Sequence, residues 1–218
     1  SLHDALPIFY SVTLTGLTPN THYTYRVGDG RQWSATRAFT TADPDAASIK
    51  FLVFGDSQSI PPYPQWRKTL RNAYAAHPDA RFMVNVGDLV DTGASAGQWH
   101  AWFAAGEGVI DTIPVMAALG NHECYPIGTA WRPYWHAQLR LPQNGPDKQK
   151  NQVYSLDAGL AHLVVLDSQQ GEQRAAGDIL TPQRQWLNTE LNNTNAPWKF
   201  AFLHKGPYHL HGGGNAQI

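Results

Sequence analysis

Apolar and polar residues alternate from Tyr10 to Leu14: Tyr10, Val12 and Leu14 are interleaved with Ser11, Thr13 and Thr15. That is the period of a strand with one buried face. A turn rich in Pro, Asn and Thr follows (Leu17 to Tyr23), then a second alternating run, Tyr23 to Val27, closed by Gly28-Asp29-Gly30. A third strand is predicted over Arg37 to Thr41. Three strands are too few for an independent sandwich. Residues 9–43 therefore read as the C-terminal remnant of a β-sandwich domain, with residues 44–48, beginning at Pro44-Asp45, as a linker.

From Ile49 onward strand and helix patterns alternate, predicting an α/β domain over residues 49–218. Lys50 to Phe54 is a short apolar run of the kind found in buried strands. Gln65 to Ala76 places Trp66, Leu70, Ala73 and Tyr74 at helical spacing. Further strands are expected at Arg81–Val86, Ile113–Ala117 and Trp198–Leu203, and helices at Gln98–Ala105 and Ala130–Leu139. Tyr154–Asp157 and His162–Leu166 have no helix between them and read as a hairpin around Ala158-Gly159. Thr181-Pro182 has the residues expected at the N-cap and first position of a helix running to about Leu191.

Composition narrows the class. Of 218 residues, 42% are hydrophobic and 15% charged, which is a folded chain rather than a disordered one. The formal net charge of −1 gives no electrostatic reason to expect a nucleic-acid or anionic-membrane partner. No run of 18 apolar residues occurs, so no helical membrane span is expected. A single cysteine, Cys124, excludes an intrachain disulfide and a cysteine-based metal site. Ser1 to Ile8 carry no pattern that continues into the rest, resemble the translated end of a common sequencing adapter, and are set aside as an expected artefact.

The informative residues stand at strand ends. The strand ending at Phe54 runs into Gly55-Asp56-Ser57-Gln58, and the next into Gly87-Asp88-Leu89-Val90-Asp91. The third is followed by Gly120-Asn121-His122-Glu123, and the last by His204-Lys205-Gly206-Pro207-Tyr208-His209. In α/β proteins ligands bind beyond the carboxyl ends of strands. Carboxylate, amide and imidazole groups delivered there from four rigid elements are the donors that a hard-to-borderline metal requires. A glycine before each of the first three groups lets the backbone turn sharply and approach closely.

This series of motifs resembles the calcineurin-like metallophosphoesterases. The Leu17-x-Pro19-x-Thr21-x-Tyr23-x-Tyr25 segment in front resembles a fibronectin type III strand corner, and together they look most like the purple-acid-phosphatase-like branch. The resemblance covers roughly Phe9 to the end. It implies a four-layer αββα sandwich with two divalent metals (manganese, iron or zinc) at one edge of the sheets. It further implies hydrolysis of small-molecule phosphate esters, acid-phosphatase-like monoesters first, by a metal-activated hydroxide. Carried over by residue, Asp56 would bind the first metal, Asp88 would bridge both, and Asn121 and His204 would bind the second. His122 would protonate or stabilise the leaving alkoxide. The resemblance also implies a secreted or periplasmic protein, although no segment of the chain itself indicates export.

Three departures qualify the likeness. Gln58 stands where most of the superfamily has a histidine ligand, and it offers a metal only a carbonyl oxygen. Asp91 stands where purple acid phosphatases have the tyrosine that gives them their colour, so no purple chromophore is expected. Asp91 either replaces that tyrosine as a ligand of the first metal or accepts the His122 proton and orients the ring; the second is favoured. A final Gly-His-x-His motif is missing, so the expectation is a fragment, inactive alone, that holds the first metal weakly. His209 and His211 either line the substrate cleft or belong to a glycine-rich loop. A phosphodiesterase or nucleotidase, or a binding or adhesion protein on a degenerate phosphatase scaffold, is the alternative function.

Overall fold

The computed structural model describes residues 9–127 and 133–208. The N-terminal alternation yields one antiparallel hairpin, β1 (His22–Tyr25) with β2 (Arg37–Thr40). The strand expected from Tyr10 to Leu14 does not form, and Tyr10 and Val12 are 89% and 80% exposed. Alternation buries a face only where a neighbouring strand and a core exist. Among the described residues the hairpin has no third strand beside it.

The hairpin is tied to the rest by polar contacts. Arg37 pairs with Glu107 and Asp111, the Tyr25 hydroxyl donates to the Asp111 carbonyl (2.8 Å), and Arg81 donates to the Thr41 carbonyl (3.0 Å).

Beyond it lie two three-stranded sheets among the described residues. The first orders β3 (Leu52–Phe54), β4 (Met83–Asn85) and β5 (Val115–Ala117), all parallel. Parallel neighbours need long crossovers, supplied here by α1 (Pro64–Ala76) and α2 (Ala96–Gly106). The second joins the β6 (Tyr154–Ala158) and β7 (Ala161–Val165) hairpin to β8 (Trp198–Phe202), which runs parallel to β7.

Two apolar layers hold the sheets and helices together. Between the sheets Phe82 and Val84 meet Ala161 and Leu163, with Phe51 stacked on Phe82 at 5.0 Å. On the outer face of the first sheet, α1 and α2 bury Trp66, Leu70, Trp99 and Trp102, the Trp66 and Trp102 rings 5.4 Å apart. Two short 3-10 turns and α3 (Pro133–Gln138) connect β5 to β6; the start of the helix expected from Ala130 lies outside the described residues.

Helix α4 (Leu180–Asn193) starts earlier than Thr181-Pro182 suggested. Asp178, not Thr181, accepts from the first backbone N–H groups, those of Leu180 (3.0 Å) and Thr181 (3.1 Å), because its carboxylate satisfies two unpaired donors at once. No helix among the described residues is long and apolar enough to cross a membrane.

Candidate metal centre

The carboxyl ends of β3, β4, β5 and β8 meet at one edge, where the expected polar groups gather. Asp56 and Asp88 both adopt left-handed backbone conformations, φ 51° and 54°, which non-glycine residues seldom occupy. Neighbouring bonds hold the two turns. Asp56 N–H donates to the Gly87 carbonyl (3.0 Å) and Gln58 N–H to the Asp88 carbonyl (2.9 Å). Ser57 Oγ accepts from both Asn85 Nδ2 (3.0 Å) and Trp102 Nε1 (2.9 Å), anchoring the first turn to β4 and α2.

Gly120 allows the third strand end to close on Asp88. A Cβ there would lie 2.1 Å from Asp88 Oδ1 and 2.3 Å from Asp88 N. Gly120→Ala is accordingly expected to destabilise the protein by about 1–3 kcal/mol, the usual cost of forcing atoms into a packed site. It should also displace Asp88, so divalent-metal titration of the refolded variant should read loss of affinity along with a lowered melting temperature.

Glu123 is the structural residue that the motif reading left without a role. Its buried carboxylate accepts from four backbone N–H groups: Asp88 (2.9 Å), Leu89 (2.7 Å), Val90 (3.1 Å) and Gly120 (2.9 Å). Burial pushes the carboxyl up to about 7, and the N–H groups that ring it pull the other way. With both oxygens occupied as acceptors, the arrangement suits the anion. One side chain thus locks the Asp88 turn to the Asn121–His122 turn.

Asp56, Asp88 and His204 each present one ligating atom, all within 4.8 Å of one another. His204 Nδ1 lies 2.9 Å from the Val86 carbonyl, which can only accept, so Nδ1 carries the proton in the neutral ring. Nε2 then faces two further acceptors with its lone pair, Asn121 Oδ1 at 3.0 Å and Asp88 Oδ2 at 3.3 Å. Lone pairs converging this way repel unless a positive charge sits among them. Burial pulls the His204 pKa down, but Asp88 outweighs it and the net direction is upward. Burial likewise pushes Asp88 up, and His204 with the His122 backbone bring it below the usual carboxylate range. Carboxylate, amide oxygen and imidazole are the donor types that hold borderline divalent cations. The residues present therefore fit the metal that the sequence suggested.

His122 lies beside this group. Its backbone N–H donates to Asp88 Oδ1 (3.0 Å), its Nδ1 is 2.8 Å from the Asp91 carbonyl, and its Nε2 is 3.9 Å from Asp88 Oδ2. Tyr125 packs edge-on against the ring at 5.0 Å. Asp91 Oδ1 is 3.3 Å from His122 Nδ1, on a side chain 58% exposed. The Asp91 contacts to the ring thus come from backbone and side chain together. Gln58 Nε2 lies 3.3 Å from Asp88 Oδ2, and Gln58 Oε1 is buried without a donor. His209 and His211 lie outside the described residues.

Two sheets packed face to face between helices, with a polar cluster where their strands end, define a metallophosphoesterase-type sandwich. Residues 49–217 match the calcineurin-like phosphoesterase family, and the chain belongs to it. Residues 6–41 match the N-terminal domain of purple acid phosphatases, a span that takes in the last three residues of the Ser1–Ile8 segment. Purple acid phosphatase 23 of Arabidopsis thaliana is 25% identical over 231 residues, covering 90% of this chain and 48% of that protein. Acid phosphatase type 7 of Danio rerio is 24% identical over 196 residues, covering 86% of this chain and 41% of that protein. The purple acid phosphatase PPD1 from yellow lupin (Lupinus luteus) seeds shares the fold with a TM-score of 0.72 at 22% identity, over 92% of this chain and 39% of its own. The chain thus spans about half the length, or less, of the curated relatives it matches.

Proposed function

We propose that the protein hydrolyses phosphate monoesters at a two-metal centre held by Asp56, Asp88, Asn121 and His204. The observation that carries this reading is the convergence of ligating atoms of Asp56, Asp88 and His204 within 4.8 Å of one another, with Asn121 Oδ1 3.0 Å from His204 Nε2. That geometry asks for a cation. Two divalent ions, manganese, iron or zinc, would supply the positive charge that acidifies water and neutralises a phosphate.

The chain's own residues provide the rest. Asp88 Oδ2 lies 3.3 Å from Gln58 Nε2 and 3.3 Å from His204 Nε2, so Asp88 is the carboxylate that would be shared by the two ions. His122 Nδ1 donates to the Asp91 carbonyl, which leaves Nε2 as the atom that can hand a proton to a leaving alkoxide. Residues 9–43 belong, on this reading, to a β-sandwich module joined through the linker at 44–48. An exported location follows from the family likeness alone.

The proton-donor role has its own test. With the protein expressed from its complete reading frame, His122→Ala should lower kcat about 10²–10⁴-fold on an alkyl phosphate, the range general-acid catalysis contributes. It should cost far less on a nitrophenyl phosphate, whose leaving group needs no proton. Equal losses on both substrates would remove His122 from that role. The departure at Gln58 motivates a second reading, a binding protein on the same scaffold; two bound metals per chain with no turnover of any phosphate ester would favour it.

A further inference from the structure

The segment after β7, Asp167-Ser168-Gln169, is buried, although connecting segments ordinarily run over the surface, where water can meet their backbone. Here α4 supplies what water would. Gln183 accepts the Asp167 N–H (2.8 Å) and donates to the Asp167 carbonyl (2.9 Å). The Asp167 carboxylate in turn accepts the Gln169 N–H (2.9 Å) and the Gln173 amide (2.5 Å). Pinned in this way, the segment reaches both strand ends that carry the imidazole and the amide of the cluster. Ser168 Oγ accepts the backbone N–H of Lys205 (2.9 Å), the residue after His204. Gln169 Nε2 donates to the Leu119 carbonyl (3.3 Å), two residues before Asn121, and to Ser168 Oγ (3.2 Å). The Leu119 carbonyl can only accept, which sets the orientation of the Gln169 amide.

We propose that Ser168 and Gln169 are positioning residues: as a brace between the two sheets they set the separation of His204 from Asn121. The inference rests on the reading of the cluster as a metal centre and adds what holds one half of it in shape. Asn121 follows β5 in the first sheet and His204 follows β8 in the second, yet Asn121 Oδ1 and His204 Nε2 stand 3.0 Å apart. The layer between the sheets is apolar, and apolar contact is non-directional, so it does not fix such a distance. Hydrogen bonds do. His204 Nδ1 ties the ring to the Val86 carbonyl beyond β4, and the Ser168–Gln169 pair ties the backbone beside His204 to the end of β5. The ring has little room to absorb an error, because a Cβ at Gly87 would lie 2.8 Å from His204 Nδ1.

The experiment uses ¹⁵N-labelled protein from the complete reading frame, stripped with a chelator. It reads the His204 imidazole and Asn121 side-chain amide signals by nuclear magnetic resonance, then Mn²⁺ binding by electron paramagnetic resonance. His162, whose ring bonds Asp157 at the far end of β7, is the control. Ser168→Ala should shift or broaden the His204 signals of the metal-free protein and leave those of His162 in place. Gln169→Met, which keeps the bulk and loses the amide, should move the Asn121 signals and test the brace even where Ser168→Ala does not fold. Both variants should bind Mn²⁺ about 10–100-fold more weakly, the usual cost of losing an outer partner of a ligand. Variants that melt lower than the wild type but keep its His204 and Asn121 signals and its Mn²⁺ affinity would overturn the brace and leave the metal centre standing. Failure of the wild type to take up Mn²⁺ would overturn both readings.

Discussion

Asp88→Asn is expected to lower phosphate ester turnover by about 10³-fold or more, some 4 kcal/mol of transition-state stabilisation, without loosening the fold. Asp88 is nearly inaccessible, and its two oxygens serve different ends. Oδ1 accepts the His122 backbone N–H, whereas Oδ2 faces His204 and the Gln58 amide. Asparagine keeps the first contact through its own carbonyl oxygen. Its amide N–H then donates to Nε2 of the neutral His204 ring, and the Gln58 amide turns over to present its oxygen instead of its N–H. The variant should therefore melt no lower than the metal-free wild type while binding divalent metal much more weakly. A drop of several degrees in melting temperature would show that Asp88 serves the fold more than the chemistry.

Glu123→Ala should do the reverse, costing stability first. The four backbone N–H groups that Glu123 satisfies are buried and would lose their acceptor together. Removing one partner of a buried charged network costs about 3–5 kcal/mol, which for a chain of this size is a fall in melting temperature of about 10 °C. Glu123→Gln retains one acceptor oxygen but turns an N–H₂ group toward N–H donors, so it should lie between alanine and the wild type. Circular dichroism melts of the three proteins give the order. A Glu123→Ala variant melting within a degree or two of the wild type would contradict the clamp.

Much of this architecture was legible in the pattern of the chain. The apolar runs before Gly55, Gly87 and Gly120 became the three parallel strands, and the residues after them did come to one edge. What was not legible depends on tertiary neighbours. The alternation at Tyr10–Leu14 has the period of a strand, but period alone supplies no pairing partner. Thr181-Pro182 matched a helix start by residue type, yet Asp178 reached two N–H groups first.

Glu123 stood in a motif that was read for its asparagine and histidine. Nothing local says that its carboxylate turns inward to bond the residues at 88–90, although an acidic residue beside the apolar Cys124 was a signal available to find it. The tautomer of His204 is set by Val86, more than a hundred positions away in the chain. Ser57 is similar: its neighbour Asp56 drew notice, while its own hydroxyl bonds β4 and α2 together.

The most direct test of the metal-centre account is steady-state hydrolysis of nitrophenyl phosphate by protein from the complete reading frame, first stripped of metal and then resupplied with manganese, zinc or ferrous ion. The account predicts no turnover in the stripped protein, recovery on adding metal, and no recovery in Asp88→Asn. Full turnover in the presence of excess chelator, or equal recovery in Asp88→Asn, would contradict it.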